Sequence, residues 1–263
     1  MMTDGRNQSV WLNNVSLTTV HPSIIVQHIS EGELEYNQIL MTRPQFGNLI
    51  ARNSPSEREI TIEFAIRERL NYATRVAAIQ AVYKWAADGG VLRLSSHPGQ
   101  EIYVTCKKLP ALGRLREWNE DLQIVFSANE FPFWVDQEPI TVTYEEELAI
   151  SGELYPVGTC TGFLEADITP TRAINHFSLG NNDFVNFFEV EAPTAVDLAA
   201  AGETIRVYYD NHHYLHIANN TEELLKYRTG ADDIITYPGV YNNVMFSAGI
   251  ACKVVFKARG VYL

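Results

Sequence analysis

Apolar and polar residues alternate most cleanly from Glu59 to Arg67. Ile60, Ile62, Phe64 and Ile66 fall on one face there, and Thr61, Glu63, Ala65 and Arg67 on the other. A period of two with one apolar face predicts an antiparallel strand covering a core. Shorter strand-like runs precede it at Val10 to Leu17, with a turn at Asn13-Asn14, and at Ser23 to Ile29 and Glu33 to Met41. Between these runs and the alternating strand, Arg43 to Ser56 is rich in turn formers and reads as a long loop or arm. The period then changes to that of a helix, predicted from about Tyr72 to Asp88. Asn71 is the candidate cap, Gly89-Gly90 the stop, and Val76, Ile79, Val82 or Tyr83, and Ala86 the buried stripe. Strands return at Val91 to Leu94, Glu101 to Lys107 and Glu120 to Ala128, the last with Leu122, Ile124 and Phe126 on one face.

The segment from Asn129 to Pro139 carries two prolines among aromatics and reads as a boundary, giving domains of 1–139 and 140–263. Beyond it, Thr141 to Glu147 leads out through an acidic run, and no strong helix follows. Short strands are predicted at Ile174 to Leu179, Phe184 to Val190, Thr204 to Tyr209, His213 to Ile217, Asn243 to Phe246 and Cys252 to Phe256. Gly180 to Asp183 is a turn signal, and Leu198 to Gly202 the strongest candidate for a helical turn. Even spacing of short strands points to an all-β sandwich. The chain is therefore expected to be mainly β: an α+β first domain with one helix, then a β-sandwich.

Composition narrows the function. The 263 residues are 46% hydrophobic and 20% charged, a globular balance with a net charge of −12. Up to Glu138 there are 13 Lys and Arg against 16 Asp and Glu, and beyond it 7 against 16, so net charges are −3 and −9. An acidic second half opposes nucleic-acid binding and attachment to anionic membranes, both of which need clustered Lys or Arg. The N-terminus lacks the apolar core of a signal peptide, and the apolar runs fall short of the ~20 residues that span a bilayer. Cys106, Cys160 and Cys252 are isolated, which signals neither a disulfide framework nor a zinc site and fits a reducing cytosol.

Candidate chemistry is sparse. His212 and His216 would share a helix face, but on a strand they lie roughly 13 Å apart, too far for one metal. The expectation is a hairpin with exposed histidines and no metal or other cofactor. The carboxylates at Glu145 to Glu147 and at Asp232-Asp233 lack the spacing of a calcium loop and read as solvated charge. No nucleophile, phosphate-loop or zinc-protease motif occurs. A structural subunit is expected, not an enzyme, and a glycan hydrolase ranks last. Carbohydrate binding is the alternative, with Tyr208, Tyr209 and Tyr214 as sugar or partner contacts. It is weakened because Trp11, Trp85, Trp118 and Trp134 all precede the acidic half. Phe46, Leu49 and Ile50, apolar in a polar stretch, are candidates for an intersubunit arm.

The order of these segments resembles the distal tail protein family of long-tailed, siphovirus-type bacteriophages. The matching run begins at Trp11-Leu-Asn-Asn-Val and Thr42-Arg-Pro-Gln-Phe-Gly. It continues through Arg58-Glu-Ile-Thr-Ile-Glu-Phe, Lys84-Trp-Ala-Ala-Asp-Gly-Gly, Leu92-Arg-Leu with His97-Pro-Gly, and Leu122-Gln-Ile-Val-Phe with Phe131-Pro-Phe-Trp. It ends on Ala231 to Phe246, through the Pro238-Gly239 turn. The resemblance implies a first domain closing into a hexameric ring that continues the tail tube, and an outer, galectin-like sandwich. It implies as partners the chain itself, the tail tube protein, and the tip, baseplate hub and receptor-binding proteins. The location would be the virion tail, assembled in the bacterial host cytoplasm.

Overall fold

The computed structural model describes residues 8–43, 47–67, 72–110, 122–181, 186–231 and 233–263. The chain divides into two compact units, Met1–Trp134 and Val135–Leu263. The fold is mainly β.

In the first unit, β1 (Val10–Leu12) turns through Asn13 and Asn14 into β2 (Val15–Ser16). Both asparagines hold positive φ (50° and 66°), the left-handed conformation that Asn tolerates best among residues with a side chain. One short helix not expected from the sequence, α1 (Leu17–Val20), follows and buries Leu17. Then come β3 (Ile24–Glu31), β4 (Glu35–Arg43), β5 (Gly47–Ile66), α2 (Tyr72–Ala86), β6 (Gly90–Leu94), β7 (Gln100–Lys108) and β8 (Leu122–Ala128), and β9 (Trp134–Asp136) spans the boundary in sequence. The sheet runs β2-β1-β6-β7-β8-β5-β3, with antiparallel neighbours throughout.

Ile60, Ile62 and Phe64 of β5 and Leu122, Ile124 and Phe126 of β8 are buried on the face that the alternation predicts. Their register pairs Ile60 with Phe126, Ile62 with Ile124 and Phe64 with Leu122, so apolar meets apolar across the ladder. Helix α2 buries Ala78, Ile79, Val82 and Ala86, and Val76 is half-buried. Gly89 ends it at φ +65°, its N–H donating to the Ala86 carbonyl at 3.1 Å. The cap predicted at Asn71 lies outside the described residues.

Trp134, fully buried, stacks on His97 with centroids 4.1 Å apart. Its indole N–H donates to Glu31 Oε2 at 3.1 Å, and Glu31 Oε1 lies 2.8 Å from His97 Nε2.

In the second unit, β10 (Ile140–Leu154) and β18 (Asn242–Ala258) pair along nearly their whole lengths. Between them come β11 (Gly162–Pro170), β12 (His176–Asn181), β13 (Asn186–Glu191), β14 (Ile205–Tyr209), β15 (Leu215–Ala218), β16 (Arg228–Gly230) and β17 (Ile235–Thr236). The last strand is β19 (Val261–Tyr262). The order is β15-β14-β11-β18-β12-β13-β16.

The two strands predicted at 243–246 and 252–256 are one. Its second edge pairs with β12 over Val244 to Ser247 and with β11 over Cys252 to Ala258. Gly249, at φ +67°, sits between the two stretches, where the strand changes partner. Val244, Phe246, Cys252, Val254 and Phe256 nevertheless all enter one core with Leu164, Ile168, Phe177, Phe188 and Ile217. The sheet thus folds over a single core.

The helical turn predicted at 198–202 does not form. Ala199 makes an isolated bridge to Ile174, and Gly202 donates its N–H to the Pro170 carbonyl at 2.8 Å, so the alanine run serves as an irregular crossing.

Candidate functional site

Within the stretch read as a loop or arm, Arg43 ends β4 and residues 47–56 belong to β5, so the described part is strand and not loop. Strand β4 pairs with β5 from Glu35 against Glu57 to Arg43 against Gly47, an antiparallel hairpin. Phe46 lies outside the described residues, while Leu49 and Ile50 stand opposite Met41 and Leu40. Pro55 is tolerated in the strand because this part of β5 has β4 as its one strand partner among the described residues. From Arg58 onward, β5 lies between β3 and β8. The hairpin therefore leaves the sheet as an arm, nine β4 residues long, roughly 30 Å at a strand's rise per residue. Among the described residues both of its outer edges lack a strand partner, the condition that favours pairing with another chain.

The root of the arm is pinned by charge. Lys107 Nζ lies 2.7 Å from Glu57 Oε1 and also bonds Glu59, and Ser127 Oγ donates to Glu57 Oε1 at 2.7 Å. These bonds to Lys107 and Ser127 hold the Glu57 carboxyl below its usual range.

The second candidate region is the β14–β15 hairpin. Asp210 organises its turn. Its Oδ1 accepts from the N–H groups of His212 (2.9 Å) and Tyr214 (3.0 Å), and its backbone carbonyl accepts from His213 N–H at 2.9 Å. His213 sits at φ +60°. It is not an exposed histidine: it is half-buried near the Phe163 ring, and burial pushes its pKa down to about 4.

The three tyrosines separate. Tyr208 and Tyr214 are exposed. Tyr209 alternates to the other side, stacks on Phe163 with centroids 4.4 Å apart, and packs against the core. Burial, with Asp233 nearby, raises the pKa of its hydroxyl.

His216 lies under Tyr208 (5.2 Å, 17°) and between two carboxylates, with Nε2 3.3 Å from Asp210 Oδ2 and Nδ1 3.3 Å from Glu223 Oε2. The local sequence gave no sign of Glu223, because a separate loop brings it to His216. His212 and His216 do not come together as ligands. Among the described residues no group of three or more His, Cys, Asp or Glu side chains could hold a metal ion.

Glu145 pairs with Lys253 at 2.7 Å; Asp232 lies outside the described residues. All three cysteines are free, and burial raises the Cys252 thiol to about 11. Among the described residues no helix is long and apolar enough to cross a membrane.

Two mainly β units in series give this chain a fold similar to those of solved phage hub and baseplate chains. In particular, the chain matches the crystal structure of the phage SPP1 Dit (gp 19.1) protein, described as a paradigm of the hub adsorption apparatus in phages infecting Gram-positive bacteria. The TM-score is 0.69 at 14% identity, over 98% of this chain and 100% of that one. A chain of the activated phage P2 baseplate with calcium matches at a TM-score of 0.53 and 8% identity, over 97% and 98% of the two chains. Its strontium counterpart matches at 0.52 and 9%, over 96% and 97%. No protein-family model and no curated protein sequence matches the chain. The likeness is thus one of fold, carried by structure where sequence identity has faded.

Proposed function

We propose that this chain is a structural hub subunit of a long-tailed phage. In this reading, residues 1–139 close into a homo-hexameric ring that continues the tail tube. Residues 140–263 carry the outer, galectin-like unit that docks tip, baseplate or receptor-binding proteins. The protein is assembled in the bacterial cytoplasm and resides in the virion tail, and it has no catalytic role. The observation that carries the reading is the end-to-end match to the SPP1 Dit hub protein. The arm supports it independently: a hairpin with two open edges gains most when a neighbouring subunit covers it, and a closed ring leaves no edge free. Light scattering and negative-stain microscopy of the purified chain test it. Rings of uniform stoichiometry are expected; a monomer that persists at high concentration overturns the reading.

Exposed Tyr208 and Tyr214 favour a second reading, a carbohydrate-binding face for host adsorption. An aromatic ring beside carboxylate acceptors suits the apolar face and hydroxyls of a sugar. Glycan-array binding lost in Tyr208→Ala would support it, and silence across cell-wall glycans would count against it.

A further inference from the structure

Both ring nitrogens of His216 face carboxylates, which in their ionised form can accept hydrogen bonds but not donate them. The two hydrogen bonds can therefore coexist only when both nitrogens carry a proton. The far oxygens of the same carboxylates are fixed by backbone. Asp210 Oδ1 accepts from two turn amides, and Glu223 Oε1 accepts from Ile217 N–H at 2.9 Å. Ile217 belongs to β15, the last strand on its side of the sheet, so Glu223 caps an N–H on an open edge. The loop that carries Glu223 follows that edge: Ala218 bridges Glu223, and Leu224 N–H donates to the Ile217 carbonyl at 2.6 Å.

We propose that His216 is a proton-operated latch that holds the loop 219–224 over the edge of β15. It is closed when the imidazole carries two protons and loosened when it carries one.

The charges around the latch come from each neighbouring element. Tyr208 lies under the ring from β14, and His212 and His213 share the turn with Asp210. Glu203 accepts from Asn220 N–H at 3.4 Å, and Glu222 pairs with Lys226 at 2.7 Å. Burial lowers the pKa of His216, but the bonds to Glu223 and Asp210 outweigh it and the net shift is upward. A raised folded pKa means that the stabilisation is complete below the ordinary histidine value of about 6.5 and fades as pH rises through the folded pKa. The neutral ring can donate to one carboxylate only. Asp210 Oδ1 is held by two amides and Glu223 Oε1 by one, so Glu223 is the end that lets go. The Ile217 N–H then becomes available to water or to an added strand. This inference does not depend on the oligomeric state of the chain.

Nuclear magnetic resonance on the intact protein tests it. His216 should titrate above about 6.5. Protection of the Ile217 amide, corrected for intrinsic exchange, should fall about threefold or more across that titration. In Glu223→Gln, which keeps an oxygen for Ile217 N–H but loses the charge, the His216 titration should move down. In His216→Gln the step in protection should vanish. A His216 that titrates at or below the ordinary value overturns the latch, as does Ile217 protection that is flat with pH. So does a step that persists in His216→Gln.

Discussion

Asn181 and Asn242, both fully buried, meet side chain to side chain, the Asn181 Nδ2 donating to Asn242 Oδ1 at 3.1 Å. The pair binds the Pro238-Gly239 turn to the body of the second unit. Asn242 Oδ1 also accepts from Tyr237 N–H (2.8 Å), and its Nδ2 donates to the carbonyls of Tyr237 (2.9 Å) and Val240 (3.0 Å). Asn181 Nδ2 reaches the Ile235 carbonyl at 3.0 Å as well. The Tyr237-to-Asn242 turn thus closes on one side chain.

Asn242→Ala should lower stability by about 3 kcal/mol or more, since it strands several polar groups away from water. Asn242→Asp should be comparably harmful, because a carboxylate would face the Tyr237 and Val240 carbonyls where an amide now donates. Denaturant unfolding of the two variants checks both. Losses below about 1 kcal/mol would mean that water replaces the lost partners.

Two glycines with nearly the same positive φ should behave differently. A Cβ on Gly89 would clash with the Val104 carbonyl oxygen, while one on Gly249 would meet nothing within 4 Å. Gly249→Ala then carries only the left-handed backbone strain, about 1–2 kcal/mol. Gly89→Ala adds a clash with backbone and should cost clearly more, as read from thermal unfolding of each variant.

Much of this fold was legible where one face of a strand is buried and the other wet. Ile60, Ile62 and Phe64 declared β5 because burial selects every second residue. Strand β11 escaped notice although it alternates throughout, burying Leu164, Ala166 and Ile168. A small Ala and two outward acids dilute that pattern, and Ala is a weak strand former. The arm hid for another reason. Its apolar residues do not alternate, and Gly47 and Pro55 are loop formers unless pairing with β4 overrides them. At the candidate site, Tyr208 and Tyr209 looked equivalent in sequence, and only the parity of β14 separates the exposed ring from the packed one. The His216 pair of carboxylates could not be seen, because Glu223 reaches it through a loop closure.

Acid should loosen the root of the arm. Glu57 has a lowered pKa through Lys107 and Ser127, so its contribution is present above the unfolded carboxyl value and is lost as pH falls through the lower, folded one. Lys107→Met removes the principal cause. The variant should lose part of the wild type's fall in melting temperature on acidification, and differ most above the unfolded value. Identical pH profiles would show that solvent screens the cluster completely.

The Cys252 thiol should be chemically silent in the folded protein. It is buried, its pKa is raised to about 11, and only the thiolate reacts. Alkylation at mildly alkaline pH, followed by peptide mass mapping, should modify Cys252 only after denaturant is added. Rapid labelling of Cys252 in the native state would reveal opening of the second core near β18.

Removal of the arm separates the assembly role proposed for it from any role in folding. From Arg58 to Phe64, β5 is held by β8, and from Ile60 to Ile66 by β3, so this stretch keeps its ladder without the hairpin. Replacing residues 36–54 by a short Gly-Ser turn deletes strand pairs that β4 and β5 make with each other and leaves Ile60, Ile62 and Phe64 in their core. The shortened chain should unfold cooperatively with a melting temperature close to the parent's, while light scattering shows that the proposed ring no longer forms. If it still forms rings of the parent's stoichiometry, the intersubunit contacts lie on the body of the sheet, and the open edges of the arm serve some other partner.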